Sequence, residues 1–433
     1  MSDAATIPLS DVLELLDGPF ESFASSFAAQ EYTLWLGSGI SRNRVDDLGK
    51  IVIRVLEHLR SKADPTDPAC RFRLALDKAL ALAMLSAAEA AAVDLAKPVS
   101  DWAIAGDLRN RLVNSYAELL NVVVEGEPPD YLLWTASRVI DTYANPHLEP
   151  DVEHFCLAIL ILERAAKNLV SANWDGLIES AISHLAGPAA AQALGVCVRS
   201  EDLPVSGARS ALFKIHGCAI RARDDETTYR PLLIARSRQV TGWTGGHATD
   251  AVKSHLTDLA STTHTLMIGL SAQDSNIQYV FVEAANRRKL AWPCDPSPFV
   301  FAEAAIGNKQ RSLLEQAFAS TYDANSAAIE GAALMPAYAK PFLVALVLKL
   351  LGAKLAECVA ALPAPGASLR PELTEGLLHL RELAADAGDV DHWAFIGQLV
   401  VSATRAASTF RDGRLTSAVG GSASSRGDGN TVR

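Results

Sequence analysis

Hydrophobic residues recur along the chain at two different spacings, and each spacing predicts one kind of element. Residues 8–29 carry apolar side chains at helical intervals, which predicts an N-terminal helical element within residues 1–30. The apolar run of residues 32–36 leads directly into a glycine turn, a pattern typical of a strand that ends abruptly. The chain is therefore expected to begin with helix and to enter a sheet at residue 32.

The long segment 48–166 is rich in alanine and leucine and keeps helical periodicity, so it is expected to be a helical insertion between two core strands. After it, short apolar runs alternate with helical segments. The predicted strands are 168–173, 195–200, 210–217, 264–270 and 297–303. Such alternation favours an α/β fold with a mostly parallel sheet.

Beyond the sheet region the helical pattern returns, which predicts a C-terminal helical region over residues 331–410. The tail, residues 411–433, is rich in glycine and serine and is expected to be disordered. A 49% hydrophobic and 21% charged composition fits a packed core. The net charge of −11 argues against broad nucleic-acid binding, although a local basic patch stays possible.

The sequence favours a cytoplasmic protein without a membrane span. The N-terminus lacks the basic region of a signal peptide. The apolar run that begins at Pro341 is interrupted by Lys349, Lys354 and Glu357 before it reaches the roughly 20 residues of a spanning helix. The six cysteines form no CxxC pair, so neither a zinc ribbon nor a disulfide framework is expected.

The first of four polar motifs is the turn Gly37-Ser38-Gly39-Ile40-Ser41 at the end of the first strand. Glycines at this place let backbone N–H groups approach a pyrophosphate, with a helix N-terminus adding favourable potential. The third glycine of the usual dinucleotide spacing is missing. An ordinary strand-to-turn connection is therefore the alternative.

The second and third motifs follow later strands. Asn173 and Asp175 come after the strand at 168, where α/β sheets bind ligands, although either residue could simply cap the next helix. His216, followed by Gly217, can project an imidazole into a crevice and act as a general base. A histidine satisfied in the core or at the surface is the alternative.

The fourth motif, around Gly269 and Ser271, again joins a strand to a turn and continues into an Asp-Ser-Asn cluster. Hydroxyl and amide groups there could bind ribose or phosphate. Capping of the following helix alone also explains Asp274 or Ser275.

Taken in order, the four motifs resemble those of the sirtuin superfamily, whose members consume NAD on a doubly wound, Rossmann-like sheet. The corresponding residues are GSGIS at 37–41, NWDG at 173–176, HG at 216–217 and GLS at 269–271. The resemblance covers roughly residues 31–305 without the insertion, and it implies an NAD-binding catalytic domain over residues 31–330.

The resemblance also implies a role for each motif. Gly37, Ser38, Gly39, Ile40 and Ser41 would line the NAD phosphates. Asn173 would position water or the ribose hydroxyls, Asp175 would hold the nicotinamide carboxamide, and His216 would act as general base. Gly269 and Ser271 would touch the phosphate or ribose on the adenosine side. NAD would be a substrate, and no metal is expected.

Two departures point to one branch of the superfamily. The four-cysteine zinc ribbon of the protein deacylases is missing, and RNRVDDLGK replaces their Pro-Asp-Phe-Arg segment. The chain is instead similar to bacterial anti-phage effectors that hydrolyse NAD in abortive infection. In several such systems the subunit assembles into large rings, sometimes with a HerA-type DNA-translocating ATPase or a short Argonaute. A homo-oligomer with such an ATPase as partner is expected, and direct nucleic-acid binding is not.

Two other functions stay open. The chain could be an ADP-ribosyltransferase or deacylase that passes ADP-ribose to another molecule. It could also be a non-catalytic NAD-binding scaffold within a defence complex. The presence of both Asn173 and His216 favours catalysis, because binding alone would not require both.

Overall fold

The computed structural model describes residues 3–203, 210–243, 249–363, 366–391 and 397. The predicted tail, residues 411–433, lies outside the described residues. The same holds for the end of the predicted C-terminal helical region beyond residue 391, apart from residue 397.

Seven described strands form one sheet in which every pair of neighbours runs parallel. The strands are β1 Tyr32–Leu36, β2 Asn168–Ser171, β3 Leu194–Cys197, β4 Ser210–Lys214, β5 His264–Ile268, β6 Phe299–Ala302 and β7 Leu334–Met335. Their order is β3-β4-β2-β1-β5-β6-β7. The prediction of a doubly wound, mostly parallel α/β sheet is therefore confirmed.

Helices occupy the connections between strands. Up to β2 they are α1 Leu9–Asp17, α2 Glu21–Ala28, α3 Leu48–Lys62, α4 Arg71–Ala81, α5 Ala87–Ala91, α6 Ala105–Val113, α7 Tyr116–Leu119, α8 Val139–Tyr143 and α9 Val152–Leu162, with a π-helical turn at Leu132–Ala136. Between β2 and β5 they are α10 Leu177–Ala186, α11 Ala190–Ala193, α12 Ala219–Asp224, α13 Glu226–Tyr229, α14 Ser237–Trp243 and α15 Asp250–Thr262. The rest are α16 Ser275–Arg287, α17 Asn308–Phe318, α18 Tyr322–Ala333, α19 Ala339–Ala360 and α20 Arg370–Asp391.

The strand register brings the four motifs to one edge of the sheet. Lys214 pairs with Ser171, Ser171 with Leu36, and Leu36 with Ile268, so the last residues of β4, β2, β1 and β5 form one transverse row. Each motif begins just after this row. β2 lies on one side of β1 and β5 lies on the other, so the strand order reverses direction at β1. Sheets of this kind bind ligands at such a switch point.

Three apolar clusters stabilise the fold. One lies on the face of the sheet covered by α1, α2, α9, α10 and α19, and a second lies on the face covered by α15 to α18. Alternation along β1 divides its side chains, with Leu34 and Leu36 in the first cluster and Trp35 in the second. The third cluster, called here the insertion core, joins α3, α4, α6, the π-helical turn and α8 to Trp174 and parts of α12.

Two elements differ from their sequence patterns. The helical region was expected to follow the sheet directly, but Leu334–Met335 forms a short edge strand beside β6, too short to show alternation. The apolar run from Pro341 belongs to α19, whose first half is buried against α1 and α9. Within the described residues, no helix is long and apolar enough to span a membrane.

Candidate functional site

The glycine turn after β1 packs backbone to backbone against the turn after β5. The N–H groups of Gly37 and Gly39 donate to the carbonyls of Ile268 and Gly269, both at 3.1 Å. A Cβ at Gly39 would lie 2.6 Å from Gly269 Cα, and Gly269 has a φ of +60°. Glycine is therefore required at both positions by this contact. These two N–H groups are already satisfied within the protein.

Asn173 links the end of β2 to the glycine turn. Its Nδ2 donates to the Gly37 carbonyl at 3.0 Å and lies 3.4 Å from Ser41 Oγ. Its backbone N–H donates to Ser171 Oγ at 3.1 Å. The side chain is half-buried. The contacts of the Asn173 amide with the protein are therefore made by its nitrogen.

Asp175 is buried and lies two residues before the first residue of α10, Leu177. Its Oδ1 accepts the Leu177 N–H at 3.1 Å, although Gly176 and not Asp175 holds the N-cap position. Its backbone carbonyl accepts from the buried Lys214 Nζ, which also pairs with Glu179 at 2.7 Å. Burial lowers the pKa of Lys214, but Cys218, Glu179 and Asp175 outweigh burial and raise it above its ordinary value. The predicted contact of Asp175 with a nicotinamide carboxamide stays a prediction.

His216 is 8% exposed and lies beside a carboxylate from another strand end. Its Nε2 is 3.1 Å from Asp274 Oδ2, although the N–H does not point directly at the oxygen. Its carbonyl accepts from Trp174 Nε1 and Ile234 N, both at 2.9 Å. Backbone and side chain together hold the imidazole at the carboxyl edge of the sheet.

Asp274 lies beside His216 and also caps the next helix, α16. Its Oδ1 caps α16 by accepting from Asn276 N at 2.9 Å and Ile277 N at 3.1 Å, which leaves Oδ2 for His216. Burial raises the pKa of Asp274, but His216 and these N–H groups outweigh burial and hold the pKa below its ordinary value. Asp274 is therefore ionised beside the imidazole.

The helices between β1 and β2 contribute side chains close to the site. Burial and the charge of Asp274 raise the pKa of Tyr116 on α7. Tyr143 at the end of α8 packs edge-on against Trp174 with ring centroids 5.2 Å apart. Burial, followed by the charge of Asp175, raises its pKa. Tyr143 therefore contacts the turn after β2, and Tyr116 lies within electrostatic range of Asp274.

The structure brings most of the predicted site residues together. Gly37, Gly39 and Gly269 touch one another, and Asn173 contacts Gly37 and Ser41. Ile40 is buried in the cluster beneath the sheet rather than facing solvent. Ser38 and Ser271 are exposed, one on each of the two turns. Their hydroxyls are therefore open to a ligand, and Gly39 and Gly269 beside them are partly exposed.

Three residues at the site were missed by the motif search. The sequence places Asp274 in a cluster that caps a helix or binds ribose or phosphate, and nothing local indicates that it meets His216. Tyr116 lies in a helical segment without a motif. His154 is fully buried in α9, where a polar residue within an apolar helix requires a partner; that was the one available signal. Among the described residues, no group of three or more His, Cys, Asp or Glu side chains could hold a metal.

Comparison with known families agrees with this geometry. Residues 167–322 match the family described as SIR2-like domain. The match supports the sirtuin-like superfamily and an NAD-related function. It contains the Asn173, His216 and Gly269 motifs, and the hydrogen bonds above connect the earlier glycine turn to them. None of the curated proteins matches the chain.

Proposed function

We propose that this chain, which carries a SIR2-like segment, is an NAD glycohydrolase that releases nicotinamide and ADP-ribose. The observation that carries the proposal is the meeting of Asn173 with the glycine turn and of His216 with an ionised Asp274 at one sheet edge. An amide and a carboxylate-paired imidazole at the switch point are suited to directing a water molecule.

The reaction breaks the bond between nicotinamide and C1′ of the ribose. Nicotinamide leaves as a neutral molecule, the ribose becomes oxocarbenium-like, and water adds to C1′. The oxygen of Asn173 accepts a hydrogen bond from the water or a ribose hydroxyl. His216 takes the proton, and Asp274 stabilises the resulting imidazolium. Acid–base assistance of this kind contributes about 10²–10⁴ in rate.

Substrate binding is proposed to use the remaining polar groups of the site. Because the N–H groups of Gly37 and Gly39 are occupied, the exposed hydroxyls of Ser38 and Ser271 are the natural contacts for phosphate or ribose oxygens. Asp175 is proposed to contact the carboxamide of nicotinamide. Its buried carboxylate has one oxygen engaged by Leu177 and a second oxygen for that contact.

We further propose that the hydrolase acts in abortive infection against phage and is controlled by assembly or by a HerA-type ATPase. An uncontrolled NAD hydrolase would kill its own host. Trp174 packs against Tyr143 of α8 and donates to the His216 carbonyl, which supports control through the helices that precede β2. Light scattering after size exclusion checks the assembly, and a monodisperse monomer at all concentrations would contradict control by self-assembly.

The test of hydrolysis is chromatographic. Purified protein is incubated with NAD, and nicotinamide and ADP-ribose are followed over time. Asn173→Ala and His216→Ala are expected to lose at least about 10² in rate. The exposed Asn110→Ala and His147→Ala serve as matched controls and are expected to retain wild-type activity.

The same assay separates the other two functions. Radiolabel that moves from the adenylate part of NAD onto protein would indicate an ADP-ribosyltransferase. NAD binding without nicotinamide release, both alone and with a co-expressed ATPase, would indicate a scaffold and contradict the proposed hydrolysis.

A further inference from the structure

A fully buried histidine outside the four motifs is connected to two of them. His154 is in the first turn of α9 and has no solvent exposure. Its Nε2 lies 3.1 Å from the hydroxyl of Ser41 in the glycine turn. Ser41 Oγ in turn lies 3.4 Å from the amide nitrogen of Asn173. One side chain therefore joins α9 to the proposed catalytic amide.

The protonation of His154 follows from its neighbours. The backbone N–H of Asp151 donates to Nδ1 at 3.1 Å, so Nδ1 must carry a lone pair. Burial lowers the pKa of His154 despite the opposing charges of Asp175 and Asp151, which keeps the ring neutral. The single ring proton is therefore on Nε2, and Nε2 donates to Ser41.

The orientation of the Asn173 amide follows from the same reasoning. The Gly37 carbonyl, 3.0 Å away, can only accept a hydrogen bond, so the NH₂ group must face it. The second amide hydrogen is directed at Ser41 Oγ. Both hydrogens are thus engaged on the protein side, and Oδ1 is the atom of Asn173 that remains for a ligand.

We propose that His154 is a positioning residue that acts through Ser41 to hold the Asn173 amide with Oδ1 toward the reacting water or ribose hydroxyl. This inference rests on the proposed hydrolysis of NAD, and His154 itself does not touch the substrate. Donation from Nε2 anchors the Ser41 hydroxyl, and the anchored hydroxyl receives one hydrogen of the amide. Without that donor, Ser41 rotates freely and the amide loses one of its two restraints.

His154 also has a plain structural role, since it accepts the Asp151 N–H at the start of α9. Two substitutions separate the two roles. His154→Asn keeps an acceptor near the position of Nδ1 and removes the donor to Ser41. His154→Gln places an amide donor near the position of Nε2 and removes the acceptor for Asp151. Each variant therefore retains one hydrogen bond and loses the other.

The first measurement is steady-state nicotinamide release. His154→Asn is expected to lower kcat about 10²-fold with little change in KM, because misplacement of a positioned group costs about this much. His154→Gln is expected to restore most of kcat while lowering thermal stability more than His154→Asn does. Ser41→Ala should lower kcat as His154→Asn does, and the double variant should lose no more than either alone.

The second measurement does not depend on turnover. In protein labelled with ¹⁵N-asparagine, the side-chain amide signal of Asn173 is assigned by its loss in Asn173→Ala. Its hydrogens should exchange slowly in the wild type and in His154→Gln, and faster in His154→Asn and Ser41→Ala. This readout tests the positioning role even if the wild type hydrolyses no NAD. Absence of hydrolysis would contradict the proposed function but not the positioning role.

Two outcomes would overturn the inference. One is that His154→Asn and His154→Gln have the same kcat and that kcat falls only as far as thermal stability falls. His154 would then have the structural role alone. The other is unchanged amide exchange at Asn173 in both His154→Asn and Ser41→Ala.

Discussion

Two buried histidines show how single residues acquire different chemistry from their surroundings. His216 lies 3.1 Å from the ionised carboxylate of Asp274, an arrangement suited to a general base. His154 accepts a backbone N–H and is buried, which keeps its ring neutral and makes it a fixed donor. The neighbours of each histidine therefore decide its proposed role, which is general base for His216 and positioning group for His154.

Asp274→Asn is expected to lower kcat for nicotinamide release by about 10² or more, because the amide cannot stabilise an imidazolium at His216. The variant keeps an oxygen for the cap of α16, so its thermal stability should change little. Asp274→Ala removes both functions and should lose activity and about 1 kcal/mol of stability. Full activity in Asp274→Asn would exclude the carboxylate from the reaction.

Glu153, on α9 beside His154, should make stability depend on pH. Burial raises its pKa to about 7, and its side chain is 8% exposed with Lys340 at 3.8 Å. The folded protein therefore holds this proton more tightly than the unfolded chain. The free energy of unfolding should fall as pH rises from about 4.5 to about 7, by on the order of 3 kcal/mol at most.

Urea unfolding across this pH range checks the expectation. Glu153→Gln should lack that part of the pH dependence and be more stable than the wild type above pH 7. The exposed Glu125→Gln is the matched control and should follow the wild-type curve. Parallel curves for wild type and Glu153→Gln would show that the pKa of Glu153 is the same in the folded and unfolded states.

At the scale of elements, the site depends on two turns that share one small volume. The turns after β1 and β5 meet through Gly37, Gly39 and Gly269, and their strands are neighbours in register. Any side chain added there would displace backbone rather than a mobile group. The three glycines therefore set the distance between the two turns, and this holds whether or not the turns contact a ligand.

Gly269→Ala is expected to destabilise the protein by more than about 2 kcal/mol. Its φ of +60° strains an alanine, and the added Cβ would lie 2.8 Å from Gly39 Cα. Gly331→Ala in α18, where no atom lies within 4 Å of the added Cβ, should be neutral or stabilising by up to about 1 kcal/mol. Thermal unfolding of both variants measures the difference.

At the scale of the whole molecule, the helices between β1 and β2 are not an independent unit. The insertion core contains Trp174, which follows β2, together with Tyr143 of α8. The same indole donates to the carbonyl of His216 at 2.9 Å. Trp174 therefore both packs in the insertion core and holds the backbone of the proposed general base, His216.

Trp174→Ala should lower the free energy of unfolding by about 3–5 kcal/mol and separate the insertion from the sheet. Trp102→Ala, buried within the insertion core and away from the motifs, is the matched control. We expect two resolved urea transitions for Trp174→Ala, with reduced nicotinamide release. A single transition in both variants would contradict the bridging role.

Much of the architecture follows from local patterns. Apolar runs closed by glycine or polar residues predicted six of the seven described strands, because a buried parallel strand needs a continuous apolar segment. The two-residue β7 is too short to leave such a pattern. The four motifs could also be found from sequence, because each lies within a few consecutive residues after a strand.

By itself, the sequence determined the α/β class, the strand positions and the order of the motifs, since these depend on spacings between neighbouring residues. The tertiary structure alone decided which distant groups meet. Asp274 reaches His216 and His154 reaches Ser41 only because parallel strands end in one row and α9 packs beneath it. No local pattern records such contacts, because they arise from the packing of elements that are far apart in the chain.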